Sequence, residues 1–351
     1  MKSNNPFSLM YGRLPSSIIK RSHEYQEVVD MFGVSKPATL SYMITGIRGS
    51  GKTVLLRDIC NRFRNDPNWI VIEANPIDEI IGPLSQKLYY EGNKNKLFID
   101  WKLKLNLKFV ELEIKKEKLI INDPEIIFEN LLEKANKNGI KVLIAIDDVA
   151  STNALKKFAN FYQAMIGKNY MIYLVMTGLK NNIDALINSD SASFLSRTPK
   201  IELKPLDKIE IANEYTKCLS VNFDFAVDLA NLTNGYAFAY QVLGYICYEN
   251  DFNKVNDDLL NKFDNYLRKE GYDVIWKELT DNEKKICFAI AKSENKKVSE
   301  IMAMCKLEES NFYNYRTSLI EKDIIEKDGY GKVKFVLPRF EQYILLLERF
   351  Y

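Results

Sequence analysis

The stretch Gly46-Ile47-Arg48-Gly49-Ser50-Gly51-Lys52-Thr53 holds the residue types best suited to chemistry in this sequence. Its glycines let the backbone curl so that successive N–H groups face inward, a cradle for phosphate oxygens. Lys52 offers a charge for β- and γ-phosphates, and the Thr53 hydroxyl is suited to magnesium. Gly46, Arg48, Gly49, Ser50, Gly51, Lys52, Thr53 and Val54 are therefore the residues expected to hold ATP. The spacing GxxxxGK[ST] is specific here because of its setting. An apolar run, Ser41–Thr45, precedes it, and an amphipathic helix carrying Val54, Leu55, Leu56 and Ile59 follows, with its positive end at the loop.

A second candidate lies downstream. Val142-Leu143-Ile144-Ala145-Ile146 is apolar and ends in Asp147-Asp148. Burying an unpaired carboxylate is costly, so an acidic pair at the end of a buried strand calls for a cation or water. Ligands of open α/β sheets bind at that edge. Asp147 is expected to hold Mg2+ together with Thr53, and Asp148 to act as the base that polarises the attacking water. The alternative for Asp148 is an ordinary helix cap. The next strand, Tyr173–Met176, ends in Thr177, whose hydroxyl could meet the γ-phosphate or the attacking water, or cap the following helix. Arg197, just before Lys200–Leu203, could reach a γ-phosphate of its own chain or of a neighbour, or make a surface ion pair. Ile19 and Arg21, ahead of the first strand, are offered to an adenine pocket.

These side chains need a scaffold. Short β-rich runs at Ser41–Thr45, Trp69–Glu73, Val142–Asp147, Met171–Thr177 and Lys200–Leu203 alternate with helical segments at Gly51–Arg64, Asp123–Asn138 and Thr152–Ile166. That predicts an α/β fold, a parallel sheet covered by helices. Trp101, Leu103, Leu105 and Leu107 alternate with lysines and an asparagine. Leu112 and Ile114 then alternate with Glu111, Glu113 and Lys115, so a β-hairpin insertion is expected near 97–118. The core is taken as 1–205. Four helical stretches make 206–275 an all-α segment, and helix, helix, helix and hairpin across 276–351 read as a winged helix-turn-helix.

Composition bounds the rest. The 351 residues carry 46% hydrophobic and 27% charged side chains, with 49 basic against 47 acidic, a net +2. This is a globular composition, with no general attraction to nucleic acid or anionic membrane. Five scattered cysteines and one histidine, His23, argue against a zinc site or a histidine-based triad. No apolar run suggests a signal peptide or a membrane span, so a cytoplasmic protein without membrane contact is expected.

Taken together, the motifs resemble the AAA+ ATPases of the group that includes STAND NTPases and archaeal or bacterial replication-initiator relatives. The resemblance rests on Arg21-x-x-Glu24, the phosphate loop (Walker A), Asp147-Asp148 (Walker B), Thr177 at a sensor position, and Ser196-Arg197 before Ile201–Leu206. It continues through Asn234-Gly235-Tyr236-Ala237-Phe238 into the terminal helices and hairpin. It implies a five-stranded core, a helical lid closing over adenine, and motion driven by ATP. Two positions depart from the group: Ala237 stands where a proline is usual, and the lid helix lacks a sensor arginine, Gln241 being the nearest polar candidate. The expected function is a hydrolysing, magnesium-dependent ATP switch. The alternative is an ATP-regulated DNA-binding accessory factor, with Asn311, Asn314 and Arg316 facing a duplex. Against that, 280–351 has 13 basic and 12 acidic residues, a surplus of one. A protein client and a nucleotide-dependent homo-oligomer are further expected partners.

Overall fold

Strands buried on both faces need runs without charge, and five segments of this chain meet that need. The computed structural model describes residues 4–10, 14–76, 79–106, 109–114 and 119–348. They fall into two units, one of Arg21–Thr45 with Lys52–Leu203, the other of Met1–Lys20, Gly46–Gly51 and Lys204–Tyr351.

The first unit opens with α1 (Ser22–Gly33), β1 (Ser41–Thr45), α2 (Lys52–Arg64), β2 (Trp69–Ala74) and α3 (Ile81–Lys94). Three short strands follow, β3 (Trp101–Asn106), β4 (Phe109–Ile114) and β5 (Leu119–Ile121). Then come α4 (Pro124–Lys137), β6 (Lys141–Ile146), α5 (Asn153–Gly167), β7 (Ile172–Gly178) and α6 (Lys180–Ile187). A 3-10 segment, Asp190–Arg197, leads into β8 (Lys200–Glu202). The main sheet is parallel in the order β2-β6-β7-β1-β8. Along β6, Val142, Ile144 and Ile146 join the cluster of Phe128, Leu131, Phe158 and Tyr162. Leu143 and Ala145 join Phe32, Leu55, Ile59 and Phe63 on the other face. Helices cover both faces, which is why these strands are apolar throughout. Asp123 begins α4 as expected, accepting from Glu125 N–H at 2.8 Å and Ile126 N–H at 3.2 Å, with Pro124 in the first turn.

β3 and β4 pair antiparallel in a register that sets Lys102 opposite Glu113 and Lys104 opposite Glu111. β5 adds a third strand that the alternation did not foretell. Leu107, Lys108 and Lys115, counted in that alternation, lie outside the described residues.

The second unit contains α7 (Lys208–Leu219), α8 (Phe223–Thr233), α9 (Ala237–Asn250), α10 (Asp257–Leu267), a π-helical turn at Arg268–Tyr272 and α11 (Asp273–Glu278). It ends with α12 (Asp281–Lys292), α13 (Val298–Cys305), α14 (Glu309–Glu321), the antiparallel pair β9 (Ile325–Lys327) and β10 (Val333–Phe335), and α15 (Phe340–Glu348). One hydrophobic cluster runs from Tyr215 and Tyr240 through Leu267 and Trp276 to Ile286, Leu319 and Phe340. Polar bonds cross the same junction. Arg339 grips Asp264 with two nitrogens, and the Tyr343 hydroxyl donates to Asp273 at 2.8 Å. The N-terminal segment lies along α9. A Cβ on Gly244 would come within 2.4 Å of the Phe7 ring, so only glycine admits that ring.

Candidate functional site: the phosphate loop and the acidic strand end

In the sheet, β7 lies between β1, which feeds the phosphate loop, and β6, which ends one residue before Asp147. Asp147 is half-buried and bonded on both oxygens. It accepts from the Thr53 hydroxyl at 2.8 Å and, on its other oxygen, from the Thr177 hydroxyl. Thr177, fully buried on β7, also accepts from the Asp148 N–H at 3.0 Å. Asp148 adopts a left-handed conformation, φ 54°, and its side chain is exposed. Thr53, Asp147, Asp148 and Thr177 are thus brought together.

Two alternatives raised by the sequence do not hold. The cap of α5 is Thr152, not Asp148, and α6 begins after Leu179 with no side-chain cap. Thr177 acts on the acidic strand end, orienting one carboxylate and pinning the backbone of the next. The surface ion pair considered for Arg197 is also missing among the described residues, where this exposed side chain makes neither an ion pair nor a hydrogen bond.

The phosphate loop runs from one unit into the other. Lys52, 9% exposed, Thr53 and Val54 begin α2 in the first unit. Gly46–Gly51 belongs to the second unit, where its carbonyls find partners. The Tyr236 hydroxyl donates to Arg48 C=O at 2.7 Å, and Phe238 N–H donates to Gly49 C=O at 3.1 Å. The Arg48 guanidinium pairs with Glu278 at 3.0 Å, with both side chains well exposed. Gly49 and Gly51 have φ of 78° and 95°, conformations a side chain would strain.

The adenine candidates fall in different units. Ile19 packs into the core of the second unit. Arg21 belongs to the first, where burial lowers its pKa and Glu24, 3.5 Å away, works against that shift. Gln241, the polar candidate on the lid helix, is already engaged. Its amide oxygen accepts from Ser8 N–H at 2.9 Å and its amide nitrogen donates to Ser17 C=O at 2.8 Å. It ties down the N-terminal segment.

Among the residues considered for a duplex, Asn311 and Asn314 are exposed, but Arg316 is half-buried, contrary to expectation. Its turn of α14 carries it back toward Leu319 and the core rather than outward. Several nearby cations are paired: Lys296 with Glu341 at 2.7 Å, Lys322 with Glu283 at 2.6 Å, and Lys334 with Glu326 and Asp328, both at 3.3 Å. Burial raises the pKa of all five cysteines, Cys60 and Cys247 to about 12, so none is a ready thiolate at neutral pH.

The chain is similar to solved structures over nearly its whole length. A Walker-type ATPase of Pyrococcus abyssi matches with a TM-score of 0.65 and 16% identity, over 93% of this chain and 96% of its own. The Aeropyrum pernix ORC2 protein, solved in ADPNP-ADP complexes, matches with a TM-score of 0.62 and 10% identity, over 100% and 99%. The fold is that of the P-loop NTPases. Cdc6p from Pyrobaculum aerophilum matches with a TM-score of 0.50 and 16% identity, over 99% of this chain and 98% of its own. A family described as "Domain of unknown function (DUF8462)" matches residues 269–344. No curated protein matches the sequence. Among the described residues no helix is long and apolar enough to cross a membrane.

The sequence did not single out Tyr236 as a site residue. It entered only within the stretch Asn234-Gly235-Tyr236-Ala237-Phe238 that carries part of the resemblance, at the turn leading into α9.

Proposed function

We propose that the chain binds ATP with magnesium at Gly46–Thr53 and hydrolyses it, acting as a switch of the STAND or replication-initiator type. The observation that carries this is the 2.8 Å bond from Thr53 to Asp147, which joins the last residue of a phosphate-loop motif to an acidic strand end. A hydroxyl and a carboxylate are hard oxygen donors of the kind magnesium takes, and it needs few from the protein because phosphates and water complete its shell. Thr53 and Asp147 would hold the magnesium, which would neutralise the charge that develops on the leaving oxygen.

The chain's own groups do the rest. Lys52 and the loop amides hold the phosphates, and Thr177 keeps Asp147 aimed. Asp148, open to solvent, takes a proton from the water that attacks the γ-phosphorus as the bond to the β–γ bridging oxygen breaks. ADP and phosphate leave, and the proton passes to solvent. Arg197, exposed and without an ion pair among the described residues, is available to a γ-phosphate of its own chain or of a neighbouring copy. In this reading 206–275 serves as the lid and 276–351 as a winged helix that conveys the nucleotide state to a client.

Calorimetry of the full chain with Mg-ATP and with a non-hydrolysable analogue tests this directly. Saturable uptake that EDTA weakens is expected, and no heat with either ligand would end the proposal. Thr177→Val is a second test, because it leaves the Asp148 N–H and one Asp147 oxygen without their partner. Turnover should fall about tenfold, roughly 1–1.5 kcal/mol of lost orientation, with ATP affinity little changed and Thr177→Ser restoring the rate. Equal losses in affinity and turnover would instead place the hydroxyl on the nucleotide.

A further inference from the structure

We infer that Tyr236 is a positioning residue for the phosphate loop, acting by fixing the peptide plane between Arg48 and Gly49. The inference rests on nucleotide binding at Gly46–Thr53.

A trans peptide is planar, with C=O and N–H pointing in opposite directions. Whatever holds the Arg48 carbonyl therefore aims the Gly49 N–H. The Tyr236 hydroxyl holds that carbonyl at 2.7 Å. The next plane is held the same way, Gly49 C=O accepting from Phe238 N–H at 3.1 Å, while Ser50 N–H closes the loop on Ile47 C=O at 3.2 Å. Of the two amides in these planes, Gly49's is the one whose direction depends on Tyr236. Gly49 is also the residue best able to turn over, since it lacks a Cβ and has φ 78°. Its lack of a side chain answers to the tyrosine as well: a Cβ there would lie 2.4 Å from Tyr236 Oη and 2.9 Å from Cζ.

The tyrosine is itself firmly placed. It is 6% exposed, and its N–H donates to Thr233 C=O at 2.9 Å. Gly235, with φ 73°, accepts from Leu206 N–H at 2.8 Å, and a Cβ on it would lie 2.6 Å from Leu206 O. Packing alone would need the ring but not the hydroxyl on a loop carbonyl. Tyr236 thus keeps the Gly49 amide turned away from itself, in the orientation that receives a phosphate oxygen.

Tyr236→Phe removes the hydroxyl and keeps the ring, so the variant should fold. The full-length variant and wild type are titrated with Mg-ATP by calorimetry, and their thermal unfolding is followed without nucleotide. We expect affinity to fall about three- to tenfold, the effect of one hydrogen bond, with unfolding of the nucleotide-free protein shifted little. Affinity equal to or above that of wild type overturns the inference, as does a lowered melting temperature with unchanged affinity. If wild type itself takes up no Mg-ATP, the nucleotide reading falls and this one with it, a result distinct from the other two.

Discussion

Lys52→Ala is expected to weaken Mg-ATP binding about 10- to 100-fold and to lower turnover about 10²- to 10³-fold. Lys52 follows Gly51, whose φ of 95° turns the chain into α2, and its side chain is 9% exposed. A hydrogen bond to a charged group contributes about 1.5–3 kcal/mol to binding, which sets the first range. The second reflects loss of a preorganised positive charge facing the phosphate oxygens as charge builds on them. Lys52→Arg should fail nearly as badly, because a planar fork does not replace a compact ammonium on a flexible stem. Calorimetry and a phosphate-release assay measure the two effects separately. Unchanged binding and turnover in Lys52→Ala would mean that the loop does not hold the triphosphate.

The largest stability effect is expected at Glu283, near the start of α12. Its side chain is 1% exposed and accepts from Thr280 N–H at 2.7 Å, Thr280 Oγ1 at 3.0 Å, Ser318 Oγ at 2.7 Å and Lys322 Nζ at 2.6 Å. It completes the cap of α12 and ties α14 to it. Glu283→Ala should cost about 2–4 kcal/mol, the sum of a lost cap and orphaned donors, moderated because Lys322 can still reach water. Burial alone would raise the carboxyl's pKa, but the bonds from Lys322, Thr280 and Ser318 outweigh it, leaving the folded value below the ordinary one. A depressed folded pKa stabilises above the unfolded value and is lost as pH falls through the folded one. The gap between wild type and Glu283→Gln should therefore be complete above pH of about 4.3. It should close below that, as read by urea denaturation followed by circular dichroism. A gap that widened on acidification would contradict an ionised Glu283.

How much of this could be read in advance depended on whether the signal was local. The phosphate loop, the Asp123–Pro124 helix start and the apolar strands are each encoded within a few consecutive residues. β6 carries its two-faced burial in an unbroken apolar run, so it was legible. The role of Thr177 was not, because it depends on β7 lying beside β6, 30 residues away in sequence. Gln241 was the nearest polar candidate for the missing sensor arginine when only its helix was considered. Its actual partners, Ser8 and Ser17, lie more than 220 residues earlier. Arg316 fits an exposed face by residue type, yet the packing of Leu319 and Phe312 turns it partly inward. β5 and α15 escaped because three residues are too few to show alternation and because α15 follows a left-handed Arg339 with no glycine to mark the break.

The core that runs from α9 to α15 has a mechanical consequence. A cut at residue 275 would slice through Tyr272, Trp276 and Phe340, so the last 76 residues should be sticky and poorly folded if made alone, much as half of a bisected globule would be. The matched family segment starts at residue 269, on the π-helical turn, upstream of such a cut. The Arg339–Asp264 pair ties the residue that precedes α15 to α10. Whatever tilts one must carry the other along, so this half of the protein should transmit a displacement as a stiff lever rather than absorb it at a joint.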